Sequence, residues 1–313
     1  MGDKHATERL QDDAMGIARA AHLLNSGGLV ALPTETVYGL AGRADRAESV
    51  AAIYRAKGRP DFNPLIVHVR DVEAATQLGV FDDRARQLAE RYWPGPLTLV
   101  LPLAVDAGVA APVTAGLPTI ALRCPAHPVM QAVLAATGLP LAAPSANRSG
   151  AVSPTTADHV HASLDGLIDA VLDGGPCASG VESTIVALRP DEWQLLREGP
   201  ISSQDLAAIL GPPAPVVHSR IEAPGQLARH YSPGKPVRLG ATAAEPDEFL
   251  IGFGAVAGDC SLSPKGDLGE AAARLYDCLH RAAASDRPSV AVAPIPDEGV
   301  GRAINDRLRR AAA

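Results

Sequence analysis

The fold is decided by the stretch Ala31-Leu-Pro-Thr-Glu-Thr-Val-Tyr-Gly-Leu40, continued by Lys57-Gly-Arg-Pro60 and Asn63-Pro-Leu-Ile-Val-His68. The apolar run Gly28–Leu32 is bounded by glycines and a proline, which is typical of a short buried strand. Three polar residues, two of them threonines, follow this run. Small hydroxyls at the end of a buried strand can contact a ligand, so the sequence predicts a binding site here.

A helix and a cationic loop come next. The segment Glu48–Lys57 has apolar residues at helical spacing and ends at Gly58. Lys57 and Arg59 therefore leave the helix end together, on a loop that we expect to face solvent. A plain solvated helix end is the alternative interpretation, because the helix dipole favours cations there anyway. The following strand, Pro64–Val69, carries a histidine among apolar residues and favours a functional role for the two cations.

Length, composition and charge narrow the class of protein. A chain of 313 residues predicts about two domains. Hydrophobic residues make up 47% and the formal net charge is −7, so a large core is expected and a broad basic surface for nucleic acid is not. The four cysteines form no C-x-x-C pair, which argues against a zinc site or a disulfide framework. A polar N-terminus and no long apolar run indicate a cytoplasmic protein without membrane contact.

Strands and helices alternate through the first domain, residues 1–211, and the residues before Asp12 are expected to form a loose tail. Thr119-Ile-Ala-Leu-Arg123 is predicted to be a strand with its first and last residues on one face. A surface charge on an edge strand is the alternative for this arginine. The loop that begins Pro144-Ser-Ala-Asn147 offers donors suited to phosphate, although such turns are common. His159 and His161 lie at i and i+2 of a predicted helix and point apart, which argues against a metal pair.

Composition changes at residue 211. Residues 212–236 are rich in proline and polar side chains and are predicted to be a linker that ends in Arg229-His-Tyr231. A plain tether is one interpretation; a lid over the site is the other. Residues 237–313 alternate strands and helices, which predicts a small open parallel sheet of Rossmann-like type. This second domain lacks a G-x-G-x-x-G motif, so no cofactor is assigned to it.

Seven motifs in sequence order resemble the Sua5/YrdC family of L-threonylcarbamoyladenylate synthases. They are Pro33-Thr-Glu-Thr-Val-Tyr-Gly-Leu40, Lys57-Gly-Arg-Pro60, Asn63-Pro-Leu65, Trp93-Pro-Gly-Pro-Leu-Thr98, Pro144-Ser-Ala-Asn147, Glu182-Ser-Thr-Ile-Val186 and Arg197-Glu-Gly199. The resemblance covers nearly the whole chain. It implies an α/β fold with a YrdC-like twisted mixed sheet, flanking helices and a concave cavity, followed by the small C-terminal domain.

The resemblance also implies a reaction and its residues. A nucleotidyltransferase of this family condenses L-threonine, bicarbonate or CO2, and ATP to threonylcarbamoyl-AMP and pyrophosphate, for the t6A modification of tRNA. The implied catalytic cations are Lys57 and Arg59. The residues implied to face threonine are Thr34, His68, Arg123 and Ser183, with Thr34 first and Ser183 second as the group that binds the threonine hydroxyl. The residues implied to face ATP are Arg59, Asn63, Thr119, Ser145, Asn147, Ser153, Arg197 and Tyr231.

Cofactor and partners follow from the same resemblance. Mg2+ is expected on the ATP phosphates, with no metal held directly by side chains. The product is expected to pass to the tRNA threonylcarbamoyl transferase machinery, without stable nucleic-acid binding by this chain. Two other functions are weighed. A double-stranded RNA-binding module is disfavoured by the acidic charge, and a carbamoyl-transferring maturation factor by the lack of acylphosphatase and zinc-finger segments.

Overall fold

The computed structural model describes residues 6–215, 222–225 and 230–313, so Arg229 of the linker motif lies outside the described residues. The strands, in chain order, are β1 (Glu8–Gln11), β2 (Val30–Leu32), β3 (Gly39–Arg43), β4 (Ile66–His68), β5 (Leu97–Pro102), β6 (Thr119–Arg123), β7 (Leu141–Ala142), β8 (Ala170–Asp173), β9 (Thr184–Leu188), β10 (Trp193–Arg197), β11 (Val237–Leu239), β12 (Glu248–Gly252), β13 (Cys260–Ser261) and β14 (Ser289–Val292). The helices are α1 (Ala14–Asn25), α2 (Ala47–Lys57), α3 (Val72–Thr76), α4 (Asp83–Tyr92), α5 (Ala111–Thr114), α6 (Pro128–Thr137), α7 (Ala157–Leu164), α8 (Ser203–Leu210), α9 (Leu268–Ala284) and α10 (Gly301–Ala312).

Ten strands form one large sheet in the order β1-β8-β2-β3-β7-β4-β6-β5-β9-β10. Some neighbours in it are parallel, such as β4 with β6, and others antiparallel, such as β5 with β6. Helices of the first domain pack apolar residues against this sheet, as α1 and α2 do through Leu24 and Ile53, both fully buried. The predicted mixed sheet with flanking helices is confirmed.

The central pairings bring the predicted site segments to one edge of this sheet. In the parallel pair β4 and β6, His68 lies opposite Arg123. Strand β5 is antiparallel to β6 and parallel to β9. The carboxyl ends of β4 and β6 therefore lie at the same edge as the amino ends of β5 and β9, and Ser183 stands immediately before β9.

Residues Glu8–Gln11 do not form part of the loose tail that the sequence predicts, and residues 1–5 of that segment lie outside the described residues. Strand β1 pairs in parallel with β8 at the edge of the large sheet. Arg9 of β1 forms ion pairs with Asp158 and Asp173. Only Leu10 in this strand is buried. One apolar residue in four gives no alternating pattern, so the strand depends on its partner and cannot be recognised locally.

The C-terminal part forms a second sheet of four strands in the order β11-β14-β12-β13, with parallel neighbours throughout. This confirms the predicted small parallel sheet. Its apolar core also includes Val37, Val152 and Val181 from the first part of the chain, together with Tyr231. The two sheets therefore share buried contacts. The division at residues 211 and 236 stays a prediction.

All four cysteines are buried and carry free thiols. Across the described ranges, none of the helices has both the length and the apolar composition needed to span a bilayer.

Candidate active site

A cavity lies at the edge of the large sheet where β4, β6 and β9 meet. Its walls include eight of the residues that the sequence predicts, namely Thr34, Arg59, His68, Arg123, Ser145, Ser183, Arg197 and Tyr231. The cavity volume is about 40 Å³, which is room for a few water molecules. Any larger ligand must therefore displace side chains or the linker.

Five predicted residues lie outside these walls: Lys57, Asn63, Thr119, Asn147 and Ser153. Thr119 pairs with Pro102 at the start of β6, the opposite end of that strand from Arg123. The Asn147 amide donates to the carbonyl oxygens of Arg148 and Ala151, both at 2.8 Å. The predicted contacts of these residues with ATP stay predictions.

Lys57 is buried, with 2% of its surface exposed, so the expectation that this side chain faces solvent was wrong. Its Nζ donates to the carbonyl oxygen of Ser145 at 2.6 Å and to that of Asn147. Lys57 is the last residue of α2 and lies on its buried side, and Gly58 ends the helix in the left-handed conformation. Burial, with a smaller effect from Arg59, lowers the pKa of Lys57 well below its ordinary value. In this structure Lys57 shapes the loop of residues 145–147.

Arg59 does reach the cavity. Its guanidinium donates to the carbonyl oxygens of Asn63 at 3.3 Å and Pro64 at 2.9 Å, both neutral acceptors. Burial lowers the pKa of Arg59 to about 10, which leaves the group charged at neutral pH. A buried cation held by carbonyl dipoles and the Tyr54 hydroxyl, all neutral groups, keeps much of its charge available for an anionic ligand.

Arg123 is held by three acceptors at the end of β6. Its guanidinium donates to Glu35 Oε1 at 2.6 Å, to Thr36 Oγ1 at 2.8 Å and to the Gly95 carbonyl oxygen at 3.2 Å. Burial alone would raise the pKa of the Glu35 carboxyl, but the charge and hydrogen bond of Arg123 bring it below its ordinary value. The reading of Arg123 as a surface charge is therefore wrong. Glu35 and Thr36 were quoted in the sequence motif without a role.

His68 lies beside Arg123, in register across β4 and β6. Burial and the neighbouring Arg123 charge lower the pKa of His68 well below its ordinary value, so the ring is neutral at physiological pH. Its Nδ1 is buried and has no hydrogen-bond partner among the described residues. A neutral ring with an unused nitrogen can accept or donate a hydrogen bond to a ligand.

Thr34 is already engaged within its own turn. Its hydroxyl donates to the Val37 carbonyl oxygen at 2.7 Å and accepts from the Thr36 and Val37 amides. The Ser183 hydroxyl, by contrast, forms hydrogen bonds only with Thr98 Oγ1 at 2.7 Å and Arg197 Nη2 at 3.1 Å among the described residues. The geometry thus leaves Ser183 the more available hydroxyl of the two.

Arg197 and the linker form the opposite side of the cavity. Arg197 donates to the Ser183 carbonyl oxygen at 3.0 Å and to that of Pro224, a linker residue, at 3.4 Å. Tyr231, 1% exposed, has a left-handed backbone with φ of 65°, and its ring contacts that of His230. Linker residues therefore line the cavity directly.

Glu182 is a cavity residue that the sequence motif contained but to which no role was given. It is 6% exposed and accepts hydrogen bonds from Ser153 Oγ at 2.6 Å, Tyr276 OH at 2.7 Å and Arg307 Nε at 3.1 Å. Burial would raise the pKa of Glu182, but Arg307 and Arg197 together with these hydrogen bonds lower it to about 2. Two of its partners belong to the second domain, so no local pattern could have indicated them.

This geometry defines an α/β protein with an arginine-lined cavity at the edge of its large sheet. Comparison with known proteins identifies the family. The Sua5–YciO–YrdC family model, described as "Telomere recombination", matches residues 22–199. A second model, described as "Threonylcarbamoyl-AMP synthase, C-terminal domain", matches residues 201–313. The chain therefore belongs to the Sua5/YrdC family of enzymes, in its two-domain form.

Full-length relatives agree with this assignment. The threonylcarbamoyl-AMP synthase of Bacillus subtilis is 39% identical over 98% of this chain and 95% of its own length. The synthase of Pyrococcus abyssi is 36% identical over 97% of this chain and 95% of its own. The crystal structure of Pyrococcus abyssi Sua5 complexed with L-threonine superposes with a TM-score of 0.90 at 33% identity, covering 98% of this chain and 97% of that one.

Proposed function

We propose that this chain is an L-threonylcarbamoyladenylate synthase, a nucleotidyltransferase acting on L-threonine, bicarbonate or CO2, and ATP. The threonine amine adds CO2 and loses a proton to give a carbamate. A carbamate oxygen then forms a bond to the α-phosphorus of ATP, while the bond from that phosphorus to the bridging oxygen breaks and pyrophosphate leaves. Membership of the family and relatives named for this product support the proposal.

One observation on the cavity carries the proposal. Three buried guanidinium groups, Arg59, Arg123 and Arg197, surround one small cavity in an otherwise acidic protein. The attacking carbamate is already an anion, so the reaction needs alignment and charge compensation more than a protein base. The lowered pKa of His68 makes it a weak base, which is consistent with a site that positions groups more than it removes protons.

Roles can be proposed for each side of the cavity. Arg123, with His68 beside it, would bind the threonine carboxylate, because a guanidinium fork matches two carboxylate oxygens. Arg59 and Arg197 would compensate phosphate charge, and Ser183 would contact the threonine hydroxyl. These proposed roles rest on where the side chains lie in the cavity and on their charges.

The linker fits the lid hypothesis. Pro224, Gly225, His230 and Tyr231 all line the cavity. Since the free space is about 40 Å³, nucleotide entry requires this side to open, and closing it afterwards would exclude water. Exclusion of water protects a mixed anhydride from hydrolysis. The product would then pass to the machinery that transfers the threonylcarbamoyl group to tRNA.

Mg2+ is proposed to enter with ATP. Within the described ranges, no three His, Cys, Asp or Glu side chains gather as a metal site. Glu182 in the cavity wall and Glu35 beside the wall residue Arg123 are held by Arg307 and Arg123, respectively. Phosphate oxygens and water would therefore hold the ion, which would neutralise phosphate charge when bound.

Product formation tests the proposal. The purified protein is incubated with Mg2+, ATP, threonine and 13C-bicarbonate. The products are then separated and identified by mass spectrometry. We expect pyrophosphate and a threonylcarbamoyl adenylate that carries the 13C label. Omitting threonine should abolish both products. Pyrophosphate release that does not depend on threonine, or release of AMP without the labelled adenylate, would contradict the proposed reaction.

A further inference from the structure

A buried ion pair joins the cavity to the second domain. Arg307, on α10, is fully buried and donates from Nε to Glu182 Oε2 at 3.1 Å. Tyr276, on α9, donates to the same oxygen at 2.7 Å. The second domain thus supplies a cation and a hydroxyl to a carboxylate in the cavity wall, across 125 residues of sequence for the arginine.

Glu182 is next in sequence to the residue that holds Arg197. It directly precedes Ser183, whose carbonyl and hydroxyl oxygens hold Arg197. Arg197 itself has only neutral hydrogen-bond acceptors among its described contacts. Arg197 and Arg307 are the two cations whose charges act most strongly on the Glu182 carboxyl and lower its pKa. Without Arg307, Arg197 would be the remaining one of these two cations to interact with the Glu182 carboxylate.

Arg307 also supports the linker. Its guanidinium carbon lies 5.7 Å from the centre of the Tyr231 ring, and the Tyr276 ring lies 5.6 Å from the same ring. Tyr231 has an uncommon left-handed backbone, which persists only where its surroundings hold it. The same two residues of the second domain therefore contact both Glu182 and the linker tyrosine.

The pair is poorly explained as stabilisation alone. Arg307 Nη2 is buried and has no hydrogen-bond partner among the described residues. Burying an ion pair costs desolvation that its attraction barely repays, and an unsatisfied donor adds to the cost. A buried charge retained at such a cost suggests a role in the site beside it.

We propose that Arg307 is a positioning residue of the active site: it neutralises Glu182 from the second domain and so leaves Arg197 available to bind the triphosphate. This inference rests on the proposed function, in which Arg197 faces ATP. It assigns the second domain a task in catalysis, the completion of one cavity wall, without direct contact with the substrates.

Arg307→Met tests this, because methionine keeps much of the volume and removes the charge. We expect the affinity for a non-hydrolysable ATP analogue, measured by calorimetric titration, to fall about tenfold, since Glu182 then attracts Arg197. Arg309→Met is the matched control, because Arg309 is an exposed arginine on the same helix. It should bind the analogue as the unchanged protein does. Circular dichroism checks that each variant is folded.

The double variant Glu182→Gln/Arg307→Met separates positioning from simple domain attachment. Removing the Glu182 charge removes its pull on Arg197, so we expect affinity within about threefold of the unchanged protein. A double variant as weak as Arg307→Met, or a folded Arg307→Met that binds the analogue normally, would overturn the inference. If Arg307→Met does not fold, Arg307→Lys and Tyr276→Phe replace it. The lysine variant should retain affinity and Tyr276→Phe should weaken it, and the opposite results would refute the proposal.

The outcome is distinguishable from failure of the proposed function. An unchanged protein that binds the analogue but makes no labelled adenylate rejects the function and leaves the binding test of Arg307 valid. An unchanged protein that makes the adenylate, with Arg307→Met equal to it in affinity, rejects only the inference. An unchanged protein that binds no ATP analogue rejects both.

Discussion

The two sides of the cavity depend on different lengths of chain. The inner wall includes Thr36 and Arg123, and Arg123 is held by Thr36 and by Glu35, all within the first domain. The shared wall consists of Glu182, Arg197 and Tyr231, and its carboxylate and tyrosine are held by α9 and α10. The inner wall is complete within one domain, whereas the shared wall is completed by the second. The comparison shows that the C-terminal domain completes a cavity wall whose other residues belong to the first domain and the linker.

The largest effect is expected at the inner wall, from Arg123→Met. Losing the guanidinium removes the bidentate contact that we propose with the threonine carboxylate, so KM for threonine should rise roughly hundredfold, equivalent to about 3 kcal/mol. Affinity for the ATP analogue should change much less. Steady-state kinetics with each substrate varied in turn gives both values. Arg70→Met, at an exposed arginine just after β4, serves as the control. Equal losses for threonine and ATP would contradict the separation of the two walls.

Arg59 and Lys57 extend this comparison. The sequence predicts a catalytic role for both, whereas in the structure Arg59 lines the cavity and Lys57 lies outside its walls. Arg59→Met should raise KM for ATP by roughly tenfold to hundredfold, since one phosphate contact of about 1.5–3 kcal/mol is lost. It should also lower the melting temperature somewhat, because the buried carbonyl oxygens of Asn63 and Pro64 lose a donor. Lys57→Met should lower the melting temperature clearly, because two loop carbonyls lose their buried donor. If Lys57→Met melts like the unchanged protein and is defective only in ATP binding, Lys57 acts on substrate after all.

Glu35→Gln probes the inner wall with a smaller change. Arg123 keeps a hydrogen-bond acceptor but loses its charged partner, so KM for threonine should rise about tenfold. The pKa of Glu35 is lowered in the folded protein, so its ion pair stabilises the fold above the unfolded pKa and this stability is lost as pH falls through the folded pKa.

Melting curves as a function of pH therefore supply a second measurement for Glu35→Gln. The variant should melt below the unchanged protein at neutral pH, and the difference should shrink once the pH falls below about 4. A difference that stays constant down to strongly acidic pH would show that the Glu35 charge does not contribute.

The smallest effect is expected from Tyr231→Phe in the shared wall. The contacts of Tyr231 with His230, Tyr276 and Arg307 are made by its ring. Phenylalanine keeps them, so affinity for the ATP analogue should fall by less than about threefold. Tyr231→Ala is the matched comparison and should weaken binding more. A tenfold loss in Tyr231→Phe would instead assign the hydroxyl a direct contact with nucleotide.

Local signals in the sequence determined much of the architecture. An apolar run bounded by glycines and a proline indicates strand β2, and apolar residues at helical spacing before Gly58 indicate α2 and its end. Motifs placed at strand ends indicate most of the cavity residues, because neighbouring strands bring their ends to one edge of a sheet. Periodicity, caps and turns act over a few residues, so a single sequence is enough to recognise them.

Only the tertiary structure decided the features that depend on distant partners. Strand β1 forms by pairing with β8. Lys57 donates to buried carbonyls about ninety residues away in sequence, and Glu182 forms an ion pair with Arg307 of the other domain. A charged residue looks alike in sequence whether water or a buried partner will surround it. Whether it is buried depends on which groups the completed fold brings within hydrogen-bond distance, because burying a charge is tolerated only when those groups compensate the lost hydration.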